Sequence, residues 1–120
     1  IHACTDVTGF GLLGHCTEMA EASDMTLELY PEQIEYMTEA IAYARMGLVP
    51  AGAYKNREFA AEGLDAGDIE EVYLDLISDP QTSGGLLVSV PREELDCLLA
   101  DFEAVGMETK VSVVGSVRCV

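Results

Sequence analysis

Basic residues are scarce in this sequence: six Lys and Arg stand against twenty-two Asp and Glu, a net charge of -16 over 120 residues. Such a field repels nucleic acid and anionic membrane, which excludes direct DNA or RNA binding as the main activity. Histidine is nearly absent too. His2 and His15 are the only two, and neither lies in a G-x-S-x-G or comparable setting, so no complete nucleophile-base pair is present. His15, near a helix start, reads as a structural hydrogen-bonding group. Cys4, Cys16, Cys97 and Cys119 contain no C-x-x-C pair and have no histidine cluster beside them, which excludes a zinc site. They read as buried, reduced thiols. Only Cys4, close to Asp6, is placed for chemistry. No apolar run approaches the roughly 18 residues of a membrane span, and no basic stretch followed by an apolar one opens the chain. No membrane association and a cytoplasmic location are expected.

What the chain does have is a hydrophobic fraction of 49%, enough for one domain that buries roughly two-thirds of its unfolded surface. The first residue is Ile1 rather than Met, and the chain enters a strand with almost no lead-in, as an excised piece would. Residues 1–8 predict a strand. Leu12, Leu13, Cys16, Met19 and Ala20 then fall at helical spacing over residues 11–22. Residues 25–30 alternate as a strand. Pro31 opens a helix striped by Ile34, Met37, Ile41, Ala44 and Leu48. Periodicity is lost over residues 47–67, which predicts a long loop holding Lys55, Asn56 and Arg57; either Lys55 and Arg57 are a solvated pair, or the segment is a lid or interface that meets phosphate or a partner domain. Asp68 and Glu71 form an acidic capping box for a helix ending near Ser78, since Pro80 excludes helical geometry at Asp79. A polar turn leads to the strand Leu86-Leu87-Val88-Ser89-Val90, Pro91 begins a last helix that stops at Gly106, and residues 111–117 close with a strand. The expected class is α+β: a single layered domain over residues 1–120, with about four strands in a mixed sheet covered by about four helices.

The most informative stretch is Ala3-Cys4-Thr5-Asp6-Val7-Thr8-Gly9-Phe10-Gly11-Leu12-Leu13-Gly14-His15. A carboxylate and two hydroxyls precede a glycine-spaced turn into a helix. Helix N-termini with nearby glycines attract phosphate, and an adjacent carboxylate suits the accompanying Mg²⁺. Given the charge of the chain, any nucleotide reading requires such a cation. Two readings stay open on spacing alone: Asp6 serves a metal and phosphate site, or the glycines merely permit a tight turn with Asp6 or Thr8 as its N-cap. Asp79 likewise reads either as a functional junction residue or as a side-chain cap on its own turn.

This stretch, with Asp79-Pro80-Gln81-Thr82-Ser83-Gly84-Gly85-Leu86-Leu87 and the intervening Gly47-Leu48-Val49-Pro50-Ala51-Gly52-Ala53-Tyr54-Lys55-Asn56-Arg57, resembles selenophosphate synthetase (selenide, water dikinase). The blocks run in that family's order, and the likeness extends from about residue 3 to the end while covering only the family's C-terminal half. The resemblance implies the fold superfamily of aminoimidazole ribonucleotide synthetase, with ATP held between an N-terminal and a C-terminal domain. It further implies conversion of selenide and water with ATP into selenophosphate, AMP and phosphate. By the same resemblance Asp6 is a Mg²⁺ ligand, and Thr5, Thr8 and Gly9 lie near the metal and phosphates. Asp79, Gln81, Thr82, Ser83 and Gly84 match the family without substitution and are carried over as a turn that shapes the site. That block differs in related superfamily members, which favours the selenium enzyme. The catalytic Cys or Sec, its Lys and the other metal carboxylates belong to the N-terminal half, so no catalytic residue is expected here. The implied partners are that N-terminal domain, ATP and selenide, within a homodimeric full-length enzyme. The alternatives are a superfamily relative with another phosphoryl acceptor and a non-catalytic association module.

Overall fold

A computed structural model describes all 120 residues, Ile1–Val120. The elements in order are β1 (Ala3–Asp6), α1 (Gly11–Ser23), β2 (Met25–Leu29), α2 (Thr38–Arg45), α3 (Ala51–Ala60), α4 (Glu71–Ile77), β3 (Leu86–Ser89), α5 (Leu95–Ala104) and β4 (Gly115–Cys119). Short 3₁₀ turns sit at Pro31–Gln33, Ala61–Gly63 and Arg92–Glu94. The α+β class is as expected. The strands, however, do not make one mixed sheet; they form two separate antiparallel pairs, β1 with β3 and β2 with β4.

The register explains the pairing. Asp6 faces Leu86 and Ala3 faces Ser89 in the first ladder, and hydrogen bonds continue past its ends, from His2 N to Ser89 O (2.8 Å) and from Val7 N to Gly85 O (2.8 Å). In the second, Leu29 faces Gly115 and Met25 faces Cys119. The closing strand runs from Gly115 to Cys119 instead of spanning residues 111–117, and the Glu28 carbonyl occupies the space a Cβ on Gly115 would need.

Five helices replace the four expected, because residues 47–67 are not a loop. The buried face of α3 is Ala53, Asn56 and Ala60, spaced i, i+3 and i+7. Two of these are too small, and one too polar, to register as an apolar stripe. Residues 31–48 depart in the other direction. Ile34 is extended (φ -83°, ψ 133°) and separates the Pro31 turn from α2, which is confined to Thr38–Arg45. Tyr36 fixes that break, donating to Pro31 O at 3.0 Å and packing on Tyr73 of α4 with ring centroids 5.7 Å apart. The acidic capping box fails as well: α4 begins at Glu71 after Glu70, with no side-chain cap, and Asp68 lies in the turn before it. Its end at Ser78 is where the proline requires it.

The core is small. Leu13 of α1, Ala60 of α3, and Leu74 and Ile77 of α4 form its centre, with Leu12, Leu29, Ile34, Tyr36 and Leu64 packed around it. Only 13 of 120 residues are buried, and Met37, Met46, Leu48, Leu86 and Val105 all stay more than 60% exposed. No residue of α5 is buried. Of the cysteines, Cys16 alone is buried; Cys4, Cys97 and Cys119 are exposed free thiols, contrary to the expectation for all four. No helix is long and apolar enough to cross a membrane.

Candidate functional site

The glycine turn after β1 and the turn before β3 are one structure. Gly11 begins α1 at φ +69°, and a Cβ there would stand 2.7 Å from the Ser78 carbonyl carbon and 3.0 Å from the Asp79 oxygen. Only glycine allows both that backbone conformation and that approach. Gly84 does the same in reverse, since its Cβ would fall 2.5 Å from the Val7 oxygen. Backbone hydrogen bonds complete the junction: Gln81 N donates to Thr8 O at 3.0 Å and Gly84 N to Val7 O at 3.2 Å.

The middle segment closes on the same place. Asn56 of α3 is buried, and its amide donates to Gly9 O at 3.0 Å and to Ser78 O at 2.8 Å, bridging the two turns. Gly52, one turn earlier, lies under Pro80, whose Cγ would be 3.0 Å from a Cβ. Arg57 is not a solvated surface residue; it binds Asp75 of α4 at 2.7 Å and Glu71 at 3.5 Å and fastens α3 to α4. Lys55 takes no part in an ion pair. It lines an open groove of about 560 Å³ with Thr8, Gly9, Phe10, Gly52, Asn56 and Phe59. Phe10 and Phe59 stack there at a centroid distance of 5.7 Å.

Asp6 ends β1, is exposed, and its carboxylate makes no hydrogen bond or ion pair within the chain. No side chain caps α1, so neither Asp6 nor Thr8 is the N-cap that a purely structural reading of the motif would supply. The Thr8 hydroxyl instead lies 3.1 Å from His15 Nε2, and His15 Nδ1 lies 3.1 Å from Glu18 Oε1. His15 is buried, in keeping with the structural hydrogen-bonding role expected of it. Thr5, one residue before Asp6 in the strand, lines a different and smaller groove of about 270 Å³ with Cys4, His15, Glu18 and Met19. The structure thus brings Thr8 and Gly9 together with Gln81 and Gly84, and sets Thr5 on a separate surface. Thr82 and Ser83 form an exposed bend between them.

Asp79 is partly buried, which pushes its carboxyl above the usual carboxylate range, while the Gln81 amide bonded to it acts in the opposite direction. Nowhere does the chain gather three or more His, Cys, Asp or Glu side chains that could hold a metal ion. What the site offers a divalent cation is one hard carboxylate oxygen, that of Asp6, free of partners within the chain and beside a hydroxyl-bearing glycine turn. Asn56, which sequence periodicity left in a loop, is the residue on which the convergence depends. Its signals in the sequence are its place between two of the chain's few basic residues and its membership of the block from Gly47 to Arg57.

The family model described as "AIR synthase related protein, C-terminal domain" matches residues 1–118. The chain belongs to that family. This AIR synthase related C-terminal domain is 44% identical over 118 residues to the "Selenide, water dikinase" of Pelobacter propionicus, covering 98% of the chain and 34% of the relative. The "Selenide, water dikinase" of Clostridioides difficile is 42% identical over 118 residues, with the same two shares of 98% and 34%. That of Treponema denticola is 46% identical over 98 residues, covering 82% of the chain and 28% of the relative. The domain thus spans about a third of the length of the curated relatives it matches.

Proposed function

We propose that this chain is the C-terminal domain of a selenophosphate synthetase, one wall of a cleft in which selenide, water and Mg-ATP become selenophosphate, AMP and phosphate. The observation that carries the reading is the convergence of all three motif blocks on one junction, held by Gly11, Asn56 and Gly84. Relatives named for this reaction, at over 40% identity, support it. In the proposed site Asp6 would hold Mg²⁺, with Thr8 and Gly9 beside it and the turn from Asp79 to Gly84, including Gln81, Thr82 and Ser83, shaping the wall. Thr5 supports the strand end from its other face. When bound, the cation would neutralise phosphate charge during transfer. The chain's own part is to place the Asp6 carboxylate, keep the turn rigid and supply Lys55 as an uncommitted positive charge in an otherwise acidic surface.

With one carboxylate and no catalytic nucleophile, the domain is inactive alone and works with an N-terminal domain of the same polypeptide, in the cytoplasm and within a homodimer. The extensive exposed apolar surface supports a covering partner. The test is product analysis by phosphorus NMR on the full-length parent given selenide and ATP. Selenide-dependent formation of AMP and selenophosphate is expected, falling more than about tenfold in Asp6→Ala. Turnover indifferent to selenide would assign the chain to another enzyme of the superfamily.

A further inference from the structure

The two strand pairs turn differently composed faces outward. Side chains alternate along a strand, and residues directly opposite each other in an antiparallel pair share a face. In the pair of β2 with β4, Thr26 faces Arg118 and Glu28 faces Ser116, so that one face is polar throughout, and Arg118 lies 3.9 Å from Glu28 across it. A solvated sheet face normally has this composition. The pair of β1 with β3 reverses it. Cys4 faces Val88 and Asp6 faces Leu86, all four are exposed, and Leu86 is 71% open to solvent. The half-buried Ala3 and Thr5 turn the other way and line a groove with His15 and Met19 of α1. Two apolar side chains, a thiol and an unpaired carboxylate thus form one outward patch on a two-stranded ladder, a structure that is marginal when left uncovered.

We propose that this outward face of β1 and β3 is the surface on which the rest of the polypeptide, the part preceding Ile1, docks. The inference rests on the two-domain reading above and says which face that reading uses. The chain covers 34% of its Pelobacter propionicus relative, so the larger part of such a polypeptide lies outside it. A segment joined at Ile1 leaves directly from this ladder, because His2 N already bonds Ser89 O at 2.8 Å, and the tether keeps its local concentration at the patch high. A second copy does not suit the face. A two-fold contact sets the patch against itself and brings like carboxylates together, between chains that each carry a charge of -16. The docking surface therefore has apolar side chains that cover Leu86 and Val88 and a centre of positive charge that meets Asp6, since a carboxylate buried without one is costly.

Three exposed cysteines on different elements make the test internal to the molecule. Cys4 lies on the proposed face, Cys97 on α5 and Cys119 on β4. Iodoacetamide labelling, timed by peptide mass spectrometry, compares the chain with its full-length parent. Cys4 should react about tenfold or more slowly in the parent, while Cys97 and Cys119 keep the rates they have in the chain. A Cys4 as reactive in the parent as in the chain overturns the proposal, and so does protection of Cys97 or Cys119 in its place. Leu86→Gln should lower the melting temperature of the parent and leave that of the chain unchanged; equal effects in the two overturn it. Sedimentation of the chain over a concentration series covers the remaining occupant: self-association that slows Cys4 labelling assigns the face to a second copy. Phosphorus NMR of the parent keeps the two levels apart. Selenophosphate formed by a parent whose Cys4 is fully reactive removes only the docking face, whereas a parent that protects Cys4 and forms none keeps the docking face and loses the functional reading.

Discussion

Replacing Asn56 with Ala removes the one side chain that bonds both motif turns at once. Its amide donates at 3.0 Å to the Gly9 carbonyl and at 2.8 Å to that of Ser78. The two losses differ in size. Gly9 is exposed, so its carbonyl exchanges the bond for water and the cost is the net worth of a hydrogen bond, about 0.5–1.5 kcal/mol. Ser78 is wholly buried, and its orphaned carbonyl carries a desolvation penalty of about 1–3 kcal/mol. Together the substitution should cost about 1.5–4.5 kcal/mol. Urea denaturation of wild type and variant, followed by far-ultraviolet circular dichroism, measures this as a fall in the midpoint at unchanged slope. Asn56→Asp should cost more than Asn56→Ala, because it sets a carboxylate against two carbonyl oxygens with no donor between them. A loss below about 0.5 kcal/mol in Asn56→Ala, or an Asp variant as stable as wild type, would refute the claim that this amide holds the junction together.

Gly11→Ala should destabilise by about 2 kcal/mol or more, since the left-handed conformation and the nearby Ser78 backbone both resist a Cβ, while Gly63→Ala, which has open space around it, should change the urea midpoint little. Burial pushes the Cys16 thiol up to about 12, so iodoacetamide at mildly basic pH should label Cys4, Cys97 and Cys119 and reach Cys16 only after denaturation, as read by peptide mass spectrometry. Partial burial raises the Asp79 carboxyl, so the folded state holds that proton more tightly than the unfolded one, and this contribution to stability is lost as pH rises through the raised value. Asp79→Asn should therefore be more stable than wild type at neutral pH, with the advantage shrinking in acid; equal effects at both, in thermal melts, would contradict the assignment.

Large apolar side chains made most of the fold legible in the sequence. Leu12, Leu13 and Cys16 marked α1 to within a residue of its end, and the alternation over Met25–Leu29 gave β2. What escaped was carried by small or polar groups and by distant contacts. The buried face of α3 is Ala53, Asn56 and Ala60, invisible to an apolar periodicity, and the break before α2 depends on Tyr36 meeting Tyr73 from another helix. The division into two strand pairs follows from long-range pairing that no local pattern encodes. The site shows the same split. Asp6 and the glycine spacing stood out in the motif, but the close approach of Gly11 to Ser78 and of Gly84 to Val7 exists only in the folded chain. Lys55 and Arg57, alike in sequence, part company because α4 supplies carboxylates to one and not to the other.

Calorimetric titration of ATP into the full-length parent, with and without Mg²⁺, tests the central claim most directly. Wild type should bind ATP in a Mg²⁺-dependent manner and Asp6→Asn should lose that dependence, weakening Mg-ATP binding by about tenfold or more. Equal Mg-ATP affinity in the two proteins would contradict the account.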